Sequence, residues 1–157
     1  MTYEIEKKFL VSNDVIPEIK EKTKITQAYL QVNSIEERIR SKDNIYYHTI
    51  KQDKKDANGL VRSENEAIIS KQKFQDLLKR HIGNIIEKTR TTIPLENDLA
   101  AELDIYDGEL EGLVIVEVEF PNEQSASDFH PPQWFGKEVT ADKRYKNQSL
   151  ALNGLPK

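Results

Sequence analysis

Along most of this chain apolar and polar residues alternate one by one, the period of a strand whose two faces meet different surroundings. In "VIVEVEF", Val114, Val116, Val118 and Phe120 take one phase while Glu117 and Glu119 take the other. The same pattern predicts strands near residues 2–11, 26–33, 36–42, 45–52, 60–69, 85–94, 100–107 and 113–121. Short turn-like links join them, among them "KDN", "DKKDANG", "LEND" and "DGELEG". Three stretches follow the helical period instead. Residues 13–22 place Val15, Ile16 and Ile19 on one stripe behind Asn13 as N-cap. Residues 70–82 stripe Phe74, Leu77 and Leu78, with Ser70 to cap and Gly83 to stop. Residues 122–129 form a short third, ending before Pro131-Pro132, and a weaker helix follows Tyr145 around "NQSLAL". A mainly β chain of hairpins with a few helices points to one domain, 1–157, built on an antiparallel sheet or barrel.

The polar phase is unusual. Like charges recur two residues apart: Glu4 and Glu6, Arg38 and Arg40, Glu64 and Glu66, Lys88 and Arg90, Glu102 and Asp104, Glu117 and Glu119. Lys8, Lys51 and Arg62 fall in phase with neighbouring dyads. A solvated sheet face explains any single dyad, because charge alternating with apolar residues is expected there. Such faces usually mix signs, since adjacent like charges repel. Here each strand is nearly uniform in sign, and the opposite phase is apolar enough to need cover from the helical stripes. About eight strands suffice to close a barrel that side chains can fill. The charged phase then faces inward, with acids and bases in near balance. Enclosing it is costly: at an effective dielectric near 20, two like charges ~4 Å apart repel by ~4 kcal/mol. A ligand is the natural reason to carry that cost.

Composition narrows the ligand. Charged residues are 32% of the chain, yet the net charge is −4 and the pI near 5.5. That balance argues against a general nucleic-acid or membrane-surface binder. Cysteines are absent, which excludes disulfides and thiolate metal sites, and no apolar run reaches the length of a membrane span. The cytoplasm is the expected compartment. Clustered carboxylates suit Mg²⁺ or Mn²⁺ rather than zinc, because His48, His81 and His130 are scattered. Clustered Arg and Lys suit phosphate oxygens. No GxxxxGK[ST] loop occurs and there are only 6 glycines, so side chains rather than backbone must hold the phosphates.

These residues have a known counterpart. "EIEKK" at 4–8 resembles the ExExK signature of the CYTH superfamily, the triphosphate tunnel metalloenzymes. The likeness spans nearly the whole chain, through "QAYL", "ERIR", "TIK", "RSENE", "EKTR", "ELDIYDG", "VIVEVEF" and "GKEVTADKRYKN" in order. It implies an eight-stranded antiparallel closed barrel, a tunnel, with helices packed outside. It also implies metal-dependent chemistry on triphosphates, and the compact length resembles bacterial members acting on inorganic triphosphate. By the same resemblance Glu4, Glu6, Glu117 and Glu119 are the metal-binding acids. Those acids and Lys8 form the catalytic set. Lys8, Arg38, Arg40, Lys51, Arg62, Lys88 and Arg90 line the phosphate path. Glu64, Glu66, Glu102 and Asp104 are left to hold a second metal, orient water or pair with the bases. Tyr29 and Lys137 are candidates for the tunnel mouth, and Trp134 reads as packing. A class IV adenylyl cyclase, a thiamine or nucleoside triphosphatase, or a non-catalytic polyphosphate- or nucleotide-binding module are the alternatives. The sequence leaves the oligomeric state open, a homodimer included.

Overall fold

In the computed structural model the described residues are 5–18, 21–56 and 59–157, with the backbone alone described for 53–56 and 59–62. Eight strands form one antiparallel sheet: β1 (Ile5–Leu10), β2 (Thr23–Val32), β3 (Ile35–Lys42), β4 (Ile45–Asp56), β5 (Gly59–Ile69), β6 (Ile82–Pro94), β7 (Ala100–Tyr106) and β8 (Val114–Phe120). Their order across the sheet is β1-β8-β7-β6-β2-β3-β4-β5. Three α-helices accompany it: α1 (Lys71–Leu78), α2 (Glu123–Asp128) and α3 (Asn147–Asn153). None of the described helices is long and apolar enough to cross a membrane.

Local chemistry accounts for the elements. The β3–β4 hairpin turns through Asp43 and Asn44, both at positive φ (52° and 62°), the geometry of a two-residue loop that follows the strand twist. Ser70 caps α1 by accepting from the Lys73 amide, and Asn122 caps α2 by accepting from the Ser125 amide. On one face of the sheet Phe9, Leu103, Val116, Val118 and Phe120 pack with Ala126, Phe129 and Phe135. Farther along that face, Ala28, Leu30 and Ile39 pack under Phe74 of α1. Burying these side chains is worth about 1.5–3 kcal/mol each, which makes this layer the main stabilising core.

Several expectations need correction. The sheet is not closed into a barrel: among the described residues no ladder joins β1 to β5. The reason is local. The outer edge of β1 is already paired with residues 136–139, through Gly136 N to Leu10 O at 2.7 Å, Leu10 N to Lys137 O at 2.8 Å and Val139 N to Lys8 O at 2.8 Å. Gly136 permits that approach, since a Cβ there would lie 2.6 Å from the Leu10 carbonyl oxygen. Among the described residues of the expected helix over 13–22 there is a single 3-10 turn at 13–15, capped by Ser12, and Ile19 lies outside the described residues. Pro17 disfavours helical backbone at Ile16, which is extended (φ −62°, ψ 125°). The link "DKKDANG" is mostly strand, because β4 runs to Asp56 and β5 starts at Gly59. Gly83 does not terminate α1 but sits in β6 at φ +65°, where a Cβ would lie 2.4 Å from the Ala151 carbonyl oxygen. Finally, α3 is not outside with α1 and α2. It packs on the other face of the sheet, with Leu150 and Ala151 against Tyr29, Ile86, Tyr106 and Ile115.

Candidate functional site

The strand registers decide which side chains share a face. Glu6 stands opposite Glu119 and Lys8 opposite Glu117; Glu117 in turn faces Glu102, and Asp104 faces Arg90. From β6 the set continues through Lys88 to Ile25, from Gln27 to Arg40, from Tyr29 to Arg38, from Arg38 to Thr49, and from Thr49 and Lys51 to Glu66 and Glu64. Residues facing one another point the same way, so the described dyads fall on a single face of the continuous sheet. Glu4 lies outside the described residues, as does the Arg62 side chain. The face is graded. Glu6, Glu102, Glu119 and Thr92 occupy one end, the bases follow, and an apolar patch of Leu10, Ile86, Tyr106, Ile115 and Tyr29 lies toward the other, with Arg38 opposite Tyr29.

At the acidic end an open cleft of about 640 Å³ is lined by Glu6, Glu102, Glu117 and Glu119, together with Thr92 and Asp98. Glu6, Glu102 and Glu119 are exposed there. Lys8 holds Glu117 at 3.4 Å and donates to the Tyr145 carbonyl at 3.2 Å. Hard carboxylate oxygens on one face are the donor type that Mg²⁺ and Mn²⁺ favour. Among the described residues, however, no three acid or histidine side chains converge as a metal cluster.

The centre is a buried ion network. Lys88, 2% exposed, lies 2.9 Å from Asp104, and Arg90 donates two bonds to the same carboxylate at 2.7 and 2.9 Å. Arg90 also reaches Glu102 at 3.2 Å. Burial alone would raise the Asp104 pKa, but the Arg90 bonds and the Lys88 charge bring it below the ordinary carboxylate value. Burial lowers the Lys88 pKa; the Asp104 carboxylate acts against that, and the Arg90 charge adds to it. Of the roles left open for Asp104, pairing with bases is therefore the one its contacts show. Glu66 accepts from the Thr49 hydroxyl at 2.8 Å, and Glu64 stands across from Lys51.

Arg38 and Arg40 differ from Arg90. The Nε–H of each is buried and finds no acceptor among the described residues. Burial, then the neighbouring Arg38 charge, lowers the Arg40 pKa, and Glu66 and Arg90 also act on it. Groups from β3, β5 and β6 thus sense one another across the face. The Arg40 guanidinium lies 5.5 Å from the centre of the Tyr47 ring.

One expected position falls elsewhere. Tyr29 is not at a mouth: it is 2% exposed in the apolar patch, where its hydroxyl accepts from Gln27 at 3.0 Å. Lys137 is exposed, and its carbonyl serves the β1 edge. Of the scattered histidines, His48 bonds Glu37 at 2.6 Å, both in outward phase. Trp134 packs edge-on against Phe135 at 4.6 Å, as expected. Sequence reading missed Gln27 and Tyr106, which are in phase with the charged dyads but uncharged. That phase was the available signal.

No family model matches the chain. Over 152 residues it is 42% identical to the inorganic triphosphatase of Nitrosomonas europaea, covering 96% of this chain and 97% of that one. It is 35% identical over 155 residues to the inorganic triphosphatase of Acetivibrio thermocellus, covering 98% and 96%. The crystal structure of an inorganic triphosphatase matches with a TM-score of 0.80 at 39% identity, over 100% of this chain and 99% of that one. Identity on this scale over both full lengths, together with a shared fold, places the chain in the inorganic triphosphatase family, with its CYTH-like fold.

Proposed function

We propose that the protein hydrolyses inorganic triphosphate to pyrophosphate and phosphate in a channel walled by the charged face. The observation that carries this reading is the pair of buried Nε–H groups on Arg38 and Arg40 that have no acceptor among the described residues. A buried donor without a partner is costly, and phosphate oxygens would satisfy both. Arg38 and Arg40 then grip the phosphate chain by two-point contacts, while Lys8, Lys51, Lys88 and Arg90 balance its charge. Asp104 holds Lys88 and Arg90 in place, so that they meet the substrate without reorganising.

Glu6, Glu117 and Glu119, with Glu4 by the family resemblance, are the residues that would hold Mg²⁺ or Mn²⁺. When bound, such an ion polarises phosphoryl oxygens and lowers the pKa of coordinated water. The chain's own acids at the cleft accept the proton of the attacking water. That water adds in line to a terminal phosphorus, the bond to the bridging oxygen breaks, and pyrophosphate departs with the electron pair.

The test is phosphate release from tripolyphosphate, pyrophosphate, ATP and thiamine triphosphate assayed side by side, with Mg²⁺, with Mn²⁺ and with chelator. Metal-dependent turnover of tripolyphosphate well above the others is expected. Pyrophosphate turned over equally well would refute it, because a two-phosphate chain engages only part of the row of bases.

A further inference from the structure

We propose that a second cavity, behind the β6–β7 turn, binds a small organic cation: an ammonium or guanidinium group carried on an apolar body. The inference goes beyond the triphosphatase reading and does not depend on it.

The cavity has a volume of about 840 Å³, within the range of small-molecule sites. Ile93, Leu95, Leu99, Phe129 and Trp134 wall it, and all five pack against the core around Phe9 and Val116. Each is only half-buried. The core also fixes the aromatic walls. The Phe129 ring centre lies 5.2 Å from that of Phe120 and 6.3 Å from that of Phe9, and Trp134 stands edge-on to Phe135. A preformed hollow of half-exposed apolar side chains with a polar rim is the arrangement of a ligand site rather than of ordinary surface.

The rim sets the sign of the ligand. Glu96 and Asp128 stand exposed on it, His130 joins them, and no Lys or Arg is among the described lining residues. Both acids are held by local structure. Glu96 opens a turn through Asn97 and Asp98, at φ 61° and 60°, which closes with Leu99 N to Glu96 O at 3.2 Å and Leu95 N to Leu99 O at 2.8 Å. Gln124 donates to Asp128 at 2.9 Å. Asn97 and Leu99 of this turn also line the acidic cleft, so carboxylates stand on both sides of it. An anion is repelled from either direction. A neutral apolar molecule would use the walls and leave the rim idle. A cation is drawn by the carboxylates and again by the faces of aromatic rings.

Trp134 is the only tryptophan in the sequence, so its fluorescence reports on this cavity. The experiment titrates the full chain with phenethylamine, phenethyl alcohol and phenylacetate, which share a body and differ in charge. It is run at pH 8, where the amine is protonated, and at constant ionic strength. The expected result is a saturable fluorescence change with the amine, at concentrations about tenfold below those the alcohol needs, and none with phenylacetate. In the double variant Glu96→Gln, Asp128→Asn the advantage of the amine over the alcohol should disappear. Its melt should stay at the wild-type value, because both positions are exposed and the asparagine oxygen still accepts from Gln124. An alcohol that binds as tightly as the amine would overturn the proposal, and so would binding of phenylacetate at the same concentrations. A preference for the amine that survives the double variant would place the cation elsewhere. The absence of any saturable change in both fluorescence and melting temperature would remove the site. None of these outcomes depends on phosphate release.

Discussion

Asp104→Asn probes the buried network directly. The substitution keeps shape and removes one negative charge from between Lys88 and Arg90. At 2.9 Å, with an effective dielectric near 20, the gross attraction between Lys88 and Asp104 is ~6 kcal/mol. The net loss is smaller, because the asparagine oxygen still accepts one hydrogen bond. Removing one partner of a buried pair typically costs about 3–5 kcal/mol, and both side chains here are no more than 3% exposed. For a chain of this size that corresponds to a fall in Tm of roughly 6–20 °C. The pH dependence follows from the same charges. In the wild type the depressed Asp104 pKa contributes stability above the ordinary carboxylate range, and this is lost as pH falls through the lowered folded value. In the variant, Lys88 has lost its carboxylate, so its already lowered pKa drops further. The folded state then sheds that proton before the unfolded state does. Stability of the variant should rise with pH between the two values, by up to about 1.4 kcal/mol per unit. Urea denaturation of both proteins at pH 7 and pH 9 measures this. A variant within about 1 kcal/mol of wild type at both pH values would mean that the network is solvated, and the argument from burial would fail.

Other outcomes follow from the same face. Arg38→Ala or Arg40→Ala should lower kcat/KM for tripolyphosphate by the ~1.5–3 kcal/mol of a charge-assisted contact, and Arg→Lys should recover part of it; steady-state kinetics showing wild-type values in both would remove these arginines from the substrate path. Glu6→Gln should abolish most metal-dependent phosphate release while leaving stability within about 0.5 kcal/mol, because Glu6 is exposed at the cleft. Full activity after chelation and return of Mg²⁺ would exclude it as a ligand. Gly83→Ala should cost about 1–3 kcal/mol by overpacking against the Ala151 carbonyl, and an unchanged melt would show that α3 yields freely.

The charged face was legible because strand period is rigid: once Glu117 and Glu119 share a side, so must Glu6, Lys8 and Glu102 on paired strands. What each acid does was less legible. Phase places Asp104 beside the bases, but it does not show that Arg90 takes both oxygens. The position of α3 was hidden because "NQSLALN" carries only a short apolar stripe, and its seat depends on side chains from β2, β6, β7 and β8. The open sheet was hidden for a similar reason. The segment covering β1 makes a single isolated bridge, Phe9 to Glu138, and has no strand signature of its own. Pro17, by contrast, was in plain view, and its effect on the preceding residue outweighed the apolar spacing of 13–22.

The placement of β1 has a consequence for how the protein is made. Its partners are residues 115–120 on one side and 136–139 on the other, more than a hundred positions later in the chain. During synthesis the strand carrying Glu6 and Lys8 has no ladder to join until nearly all of the polypeptide has been translated. Contacts of such sequence separation are slow to form, since loop closure must precede any reward. The β2–β3–β4–β5 meander, by contrast, pairs only neighbours and can assemble as it emerges. The acidic end of the face is therefore the last part to come into being, so a nascent chain would carry its phosphate-gripping arginines before its paired carboxylates.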